Sequence, residues 1–509
     1  MNHLRRCVGA AACAVALCLL PAAGQEPARS GKTLIAELAG LEGVDRGFRG
    51  APRGRSGEAI DPGGATRGDY VPGRVLVKWR PGREPALRDL TRDGIPVRST
   101  DRPDYADFSV LRIPEDADAE AIARQLAARE DVEYAQAAYR VHKRLRPNDP
   151  RYNMQWNLPA IDMERAWDIN PGGTSSTIVA ILDSGVAYRS GIFRYSARAF
   201  RFGSTVFPAL GAVDMTFGLA PDLGPADRFV SPRDFIWEDE LPFDLDGHGT
   251  HVAGTIGQAT NNATGVAGVA FDVKIMPVKV IDGDWDFIFS APGEGTDDTV
   301  SRGIRYAADN GAKVINMSIG RTGSSAPVIE EAIRYAVSRG AFVVIAGGNT
   351  FDEGNAVEVY SQIASRINGA VSVAAVGRGL EHASYSTTGD YIELAAPGGN
   401  SSQGGTSAEI LQQTMDDEFI FTFEQGLSRY RAPRFDVFGE FFFQGTSMAA
   451  PHVSGLAALL YEQGVTSPSA IEAALKKFAV DKGAAGRDNE FGFGVINARN
   501  TLRGLGLAR

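Results

Sequence analysis

A chain of 509 residues, 44% hydrophobic and 22% charged, is too long for one small core and too apolar for a disordered polymer, so two or three folded units are expected. The formal charge of -10 and the lack of a clustered Lys/Arg stretch argue against a nucleic-acid or anionic-membrane partner.

The N-terminus reads as a secretory signal over residues 1–24. A basic start (His3, Arg5, Arg6) precedes an apolar run from Val8 to Leu20, and small residues Ala22, Ala23 and Gly24 follow. The run is shorter than the ~20 apolar residues a membrane span needs. Cys7, Cys13 and Cys18, the chain's three cysteines, all fall inside it, so cleavage leaves no thiol. Residues 25–71, rich in Gly, Arg and Pro, read as a flexible leader.

From residue 72 to 144 the pattern is that of a small α+β module: a strand at Val75–Val77, another at Phe108–Ile113, a helix at Ala119–Arg129 and a strand at Val132–Ala135. Residues 145–509 follow α/β grammar. Apolar, β-branched runs predict buried strands at Ile178–Leu182, Lys274–Ile281, Lys313–Ile319, Phe342–Ile345, Ala370–Val376 and Ile392–Ala395. Helical spacing marks Asp298–Asn310 and Pro327–Ser338, and Ser467-Pro468 supplies a helix N-cap followed by Pro at the first helical position. A doubly wound, mostly parallel sheet follows, with its site at the strands' carboxyl ends.

Three segments place reactive residues at such ends. Asp183 closes the run Ile178–Leu182, His248 stands among the glycines of Asp246-Gly247-His248-Gly249-Thr250-His251, and Ser447 opens a helix in Gly445-Thr446-Ser447-Met448-Ala449-Ala450-Pro451-His452. A serine hydroxyl needs a base to become a nucleophile, and an imidazole base needs a carboxylate to orient it. Each residue alone has an ordinary structural reading; their order and surrounding strings together favour chemistry.

These strings resemble the three active-site signatures of the subtilisin-like (subtilase) serine proteases, and residues 72–144 resemble that family's inhibitory propeptide, a ferredoxin-like α+β domain. The resemblance implies a secreted (extracellular or periplasmic) serine endopeptidase, made as a zymogen that processes itself near Val141 to Pro150, with Asp183, His248 and Ser447 as its triad. It implies protein and peptide substrates, the chain's own propeptide as intramolecular inhibitor, a monomer, and no membrane association after signal cleavage. Asn349, after Phe342–Gly348, matches the oxyanion donor. Ser318, Ile319 and Gly320 match a substrate-binding edge, and Ala346, Gly347 and Gly348 a primary pocket. Thr260–Val266 resembles a calcium loop, which implies Ca2+ held by Asn262, the carbonyls of Thr260, Thr264 and Val266, Asp222 and Gln155. His251 and His452 match accessory positions and read as structural.

The chain departs from the family pattern in an aromatic insertion at Arg189–Phe217, which reads as an extra rim, and a long stretch at Gly399–Phe443 with clusters at Phe419, Phe421, Phe423 and Phe441–Phe443. The stretch Thr350–Gly369 lacks the usual Pro turn, with Ile363–Ile367 reading as helix, so the preferred substrate side chain is not legible. The competing readings are a catalytically silent binding protein on the same fold and an esterase; the latter sets its serine in Gly-x-Ser-x-Gly, whereas Gly445-Thr446 precede Ser447 here.

Overall fold

The computed structural model describes residues 70–139, 145–202, 205–416 and 434–504. The signal segment, most of the leader, residues 140–144 at the expected processing region, and Phe419, Phe421 and Phe423 lie outside the described residues.

In the first module apolar residues recur at every second position of the strands, which leaves one sheet face to be covered. Its elements run β1 (Tyr70–Trp79), α1 (Leu87–Arg92), β2 (Ser99–Asp101), β3 (Ser109–Arg112), α2 (Ala119–Ala127) and β4 (Val132–Tyr139). The strands form an antiparallel sheet in the order β2-β3-β1-β4. Val75 and Val77, Leu111, Val132 and Ala137 pack with Ile122, Ala123 and Leu126 of α2 in one core. Asp118 caps α2 by accepting from Ala121 N at 3.0 Å, satisfying a donor that the first turn leaves free. The order βαββαβ is that of a ferredoxin-like module.

The larger part begins with β5 (Ile178–Asp183), followed by β6 (Tyr188–Ala197), β7 (Leu210–Leu219), β8 (Arg233–Asp234), α3 (His248–Gly257) and β9 (Lys274–Lys279). Then come α4 (Asp297–Asp309), β10 (Val314–Met317), α5 (Pro327–Ser338), β11 (Phe342–Ala346), α6 (Val359–Ala364), β12 (Ala370–Val376) and β13 (Leu394–Pro397). A hairpin of β14 (Ile410–Met415) and β15 (Phe438–Phe443) leads into α7 (Thr446–Glu462) and α8 (Pro468–Phe478).

Seven strands form one parallel sheet in the order β8-β9-β5-β10-β11-β12-β13. Both faces are buried, and successive side chains divide between them. Val179 and Ile181 of β5, with Phe342 and Val344 of β11, join the core that holds α3 and α7; Ala180, Leu182, Val343 and Ile345 join the core beneath α4, α5 and α6. Burial on both faces explains why these strands are unbroken apolar runs. The chain moves from β5 outward to β9 and then returns to β10 on the other side, so the switch of direction falls at β5, where a crevice is expected.

Two expectations shift in detail. Helix α6 begins four residues before Ile363, and Ser467 occupies the N-cap position of α8 but its hydroxyl bonds to Ser469 Oγ (3.0 Å) instead of capping. The aromatic insertion forms an antiparallel ribbon of β6 and β7, anchored by Phe217, which stacks on Phe243 (4.4 Å) and Phe435 (5.0 Å). Lys279, the last residue of β9, is fully buried; its Nζ donates to Asp286 Oδ2 (2.8 Å) and to Phe243 O (2.9 Å). No helix among the described residues is long and apolar enough to cross a membrane.

Candidate active site

Met317 pairs with Leu182 across β10 and β5, so the next residues, Ser318 and Asp183, leave the sheet on neighbouring strand ends. Asp183 is fully buried. Its Oδ1 accepts from Ser184 N at 2.8 Å and meets His248 Nδ1 at 2.6 Å, while Oδ2 has no partner among the described residues. His248 is the first residue of α3 and retains partial exposure. Gly249 makes the approach possible, because a Cβ there would fall 2.1 Å from Gly185 O and 3.1 Å from Asp183 Oδ1.

The N-terminus of α3 is organised by Asp244. Its Oδ1 accepts from Gly247 N (2.8 Å) and Ser184 Oγ (3.0 Å), and its Oδ2 from Thr250 N (2.9 Å) and Thr250 Oγ1 (2.6 Å). One carboxylate thus ties the turn after Asp183 to the helix that bears His248. Burial opposes charge on the imidazole, but Asp183, with Asp246 and Asp244 adding to it, outweighs burial and raises its pKa to about 9. A base must be neutral to accept a proton, so the acidic limb of kcat/KM is expected to lie above the ordinary histidine value of 6.5. Asp246→Asn removes one of the charges that raise it and should move that limb to lower pH. Asp246 is exposed, so the shift should be roughly 0.2–0.7 unit. A pH profile of kcat/KM for both proteins checks this, and a shift to higher pH would contradict the electrostatics.

Ser447 is the second residue of α7 and is only partly buried. Its hydroxyl donates to Ser318 O (3.1 Å), and no Ser447–His248 hydrogen bond forms among the described residues. Ser318 returns the contact, its Oγ donating to Ser447 O at 2.7 Å. That carbonyl needs an outside donor because Pro451, four residues on, has no N–H to give it. Ser318 is held in turn: Asn316 Nδ2 donates to Ser318 Oγ (3.0 Å), and Ser454 Oγ of α7 donates to Asn316 Oδ1 (2.7 Å). The sequence signals Ser318 only as an edge residue; its hydroxyl's service to the α7 turn is visible in the structure alone.

Asn349 follows β11 and is exposed. Its Oδ1 accepts from Thr446 N and Thr446 Oγ1, both at 2.9 Å, which orients the amide and leaves Nδ2 to donate elsewhere. Ile319 is half-buried and Gly320 exposed at the end of β10; Ala346 and Gly347 are buried and Gly348 half-buried at the end of β11.

His251 and His452 take structural positions. His251 Nε2 lies 3.1 Å from Ile410 O and 3.2 Å from Phe441 O, and its ring stacks on Phe443 at 4.4 Å. His452 Nε2 faces Asn157 Nδ2 (2.8 Å), a donor, so Nε2 accepts and Nδ1 donates to Met448 O (2.8 Å). Burial lowers both pKa values, to about 3 for His251 and about 4 for His452.

The 260–266 loop closes on a buried carboxylate. Asp222 is 1% exposed; its Oδ1 accepts from Asn262 Nδ2 (2.6 Å) and its Oδ2 from Val266 N (3.3 Å), and burial raises its pKa to about 6. Asn262 Oδ1 accepts from Thr264 N (2.8 Å), and Thr260 Oγ1 donates to Gln258 O (2.9 Å). A residue not anticipated there is Asp149, 4% exposed, which accepts from Asn261 N (2.7 Å) and Asn262 N (3.3 Å). Gln155 is committed nearby to other partners: its Oε1 accepts from Ala267 N (2.7 Å) and its Nε2 donates to Ala267 O (2.9 Å) and Leu411 O (3.2 Å). Among the described residues no group of three or more His, Cys, Asp or Glu suits a metal.

A parallel α/β sheet with a buried Asp–His pair at one strand end and a helix-borne serine beside the next defines a serine hydrolase. Residues 174–494 match the subtilase family profile and residues 59–137 the fervidolysin N-terminal prodomain profile; the chain belongs to the subtilase family of peptidases. It is 29% identical over 442 residues to a thermophilic serine proteinase of Bacillus sp. strain AK1, covering 86% of this chain and 88% of that one. It is 33% identical over 359 residues to thermitase of Thermoactinomyces vulgaris, covering 70% and 99%. A solved protease structure from Pseudoalteromonas arctica superposes with a TM-score of 0.52 at 29% identity, over 71% of this chain and 99% of that one. The protein is a serine-type endopeptidase with an N-terminal prodomain, which corresponds to the zymogen that the sequence implies.

Proposed function

We propose that Ser447 is the nucleophile of this protease, His248 its general base and acid, Asp183 the orienting carboxylate and Asn349 an oxyanion donor. The observation that carries this reading is the 2.6 Å contact of His248 Nδ1 with Asp183, which commits that nitrogen and leaves Nε2 for proton transfer. Rotation of the Ser447 side chain away from Ser318 O brings its hydroxyl to Nε2. The imidazole takes the proton as Oγ attacks the scissile carbonyl, Asp183 stabilises the imidazolium without itself being protonated, and the proton passes to the leaving amine. Water then attacks the acyl-enzyme by the same route. Negative charge on the carbonyl oxygen meets Asn349 Nδ2 and the free N–H of Ser447 at the N-terminus of α7.

An extended peptide pairs its backbone with Ser318, Ile319 and Gly320, and its side chain enters between that edge and Ala346–Gly348. Residues 72–144 act as the intramolecular inhibitor until cleavage within 141–150, the leader spanning 25–71 and the catalytic domain 145–509. The signal-like segment 1–24 directs secretion, in keeping with relatives named extracellular proteases. The mature protein is a monomer.

A calcium ion fits the 260–266 loop. Asp222 and Asp149 are two buried carboxylates with no ion pair among the described residues, and a hard cation compensates both. Asp222, Asn262 and the carbonyls of Thr260, Thr264 and Val266 would hold it, with Asp149 in the place expected of Gln155. Bound there, the ion supplies stability rather than chemistry.

Labelling the purified full-length protein with a fluorophosphonate and mapping the adduct tests the assignment. The label is expected on Ser447, with loss of casein hydrolysis in proportion. A label on another residue, or hydrolysis that survives complete labelling, would overturn it.

A further inference from the structure

Glu358 immediately precedes α6, between two polar-looking stretches that carry no recognisable motif. Its side chain is 6% exposed, and its Oε1 has no hydrogen-bond partner among the described residues. It lies against both segments assigned to substrate. A Cβ added to Gly320 would fall 2.2 Å from Glu358 Oε1 and 2.6 Å from its Cδ, and a Cβ added to Gly348 would fall 3.2 Å from Glu358 Cβ. The carboxylate therefore occupies space that exists because both positions are glycine.

Its nearest cation is already committed. Arg321 forms a two-point contact with Asp297, Nε to Oδ1 at 2.8 Å and a terminal nitrogen to Oδ2 at 2.6 Å, so Arg321, Asp297 and Glu358 together carry one net negative charge. Burial raises the Glu358 pKa to about 7, with partial relief from the backbone of Arg321 and Tyr360 and the charge of Arg321. A buried carboxylate without a counter-ion is unfavourable unless something else supplies the charge. In a pocket that opens to substrate, the substrate can supply it.

We infer that Glu358 determines primary specificity and selects a lysine or arginine side chain on the residue whose carbonyl Ser447 attacks. The inference rests on the proposed placing of substrate between Ser318–Gly320 and Ala346–Gly348. A charge-assisted contact in a buried site predicts a preference of roughly 10- to 100-fold over an uncharged side chain of similar length.

The test uses enzyme matured from the full-length chain, with active sites titrated by fluorophosphonate, on peptide p-nitroanilides that differ only in a final Lys, Arg, Met or Phe. Wild-type protein should favour Lys and Arg over Met in kcat/KM by that factor. Glu358→Gln should bring the ratio near one, and Glu358→Asp should retain part of the preference. A wild-type ratio near one, a ratio unchanged by Glu358→Gln, or an equal fall on all four substrates with titration intact would overturn the inference. Absence of both titratable serine and cleavage would instead overturn the catalytic assignment beneath it.

Discussion

Ser447→Ala is expected to yield a precursor that stays full length and hydrolyses casein roughly 10⁶-fold more slowly than the parent. The loss is large because the hydroxyl, His248 and Asp183 act as one unit: without the nucleophile, the orientation of His248 by Asp183 at 2.6 Å has nothing to activate. Peptide binding along Ser318–Gly320 and polarisation by Asn349 survive, so a small residual rate above solution should remain. Gel analysis of processing and a casein assay at high enzyme concentration measure both parts. Self-cleavage at the parental rate would show that another group performs the chemistry.

Lys279→Met should destabilise the protein by about 3–5 kcal/mol, because it leaves Asp286 buried without its cation. The two side chains are wholly enclosed and 2.8 Å apart. Asp286 would keep Trp237 Nε1 (2.7 Å) and Gly283 N (3.0 Å), which soften the loss without replacing the charge. Asp234, whose pKa burial already raises to about 7, would lose the Lys279 charge that offsets that burial. Lys279 also holds Phe243 O, the carbonyl against which Gly185 packs, so the turn after Asp183 should loosen as well. Urea midpoints in a Ser447→Ala background, where self-digestion is absent, provide the measurement. The double change Lys279→Met with Asp286→Leu should recover most of the loss, and a single variant as stable as its parent would refute the account.

The parallel sheet was legible because strands buried on both faces must be apolar throughout; Ile178–Leu182, Phe342–Ile345 and Ala370–Val376 left little else to be. The strings around Asp183, His248 and Ser447 were legible because close packing at the site demands glycines at set positions, such as Gly249 against Gly185 O. Contacts made by residues distant in sequence were not. Lys279 ends a strand like any solvent-facing lysine, and only the return of residues 283–286 beneath it shows a buried pair. Glu358 sits in Ala356-Val357-Glu358-Val359, where alternation suggests an outward charge; its burial depends on Gly320 and Gly348, 38 and 10 residues earlier in the chain. Asp149 likewise acquires its place only when Asn261 and Asn262 fold back over it. The insertion at Arg189–Phe217 signalled aromatic content but not the β-ribbon, because its register is set by pairing with residues up to 31 positions away.

The proline within α7 has a mechanical consequence. With no amide hydrogen at Pro451, the opening turn of that helix is moored to the end of β10 by one hydroxyl, Ser318 Oγ on Ser447 O. The same short stretch of chain is where an incoming peptide docks in the proposed binding mode. Any strain a peptide imposes on that edge therefore travels directly to the reactive serine, so a well-seated ligand and a correctly aimed nucleophile become a single event rather than two.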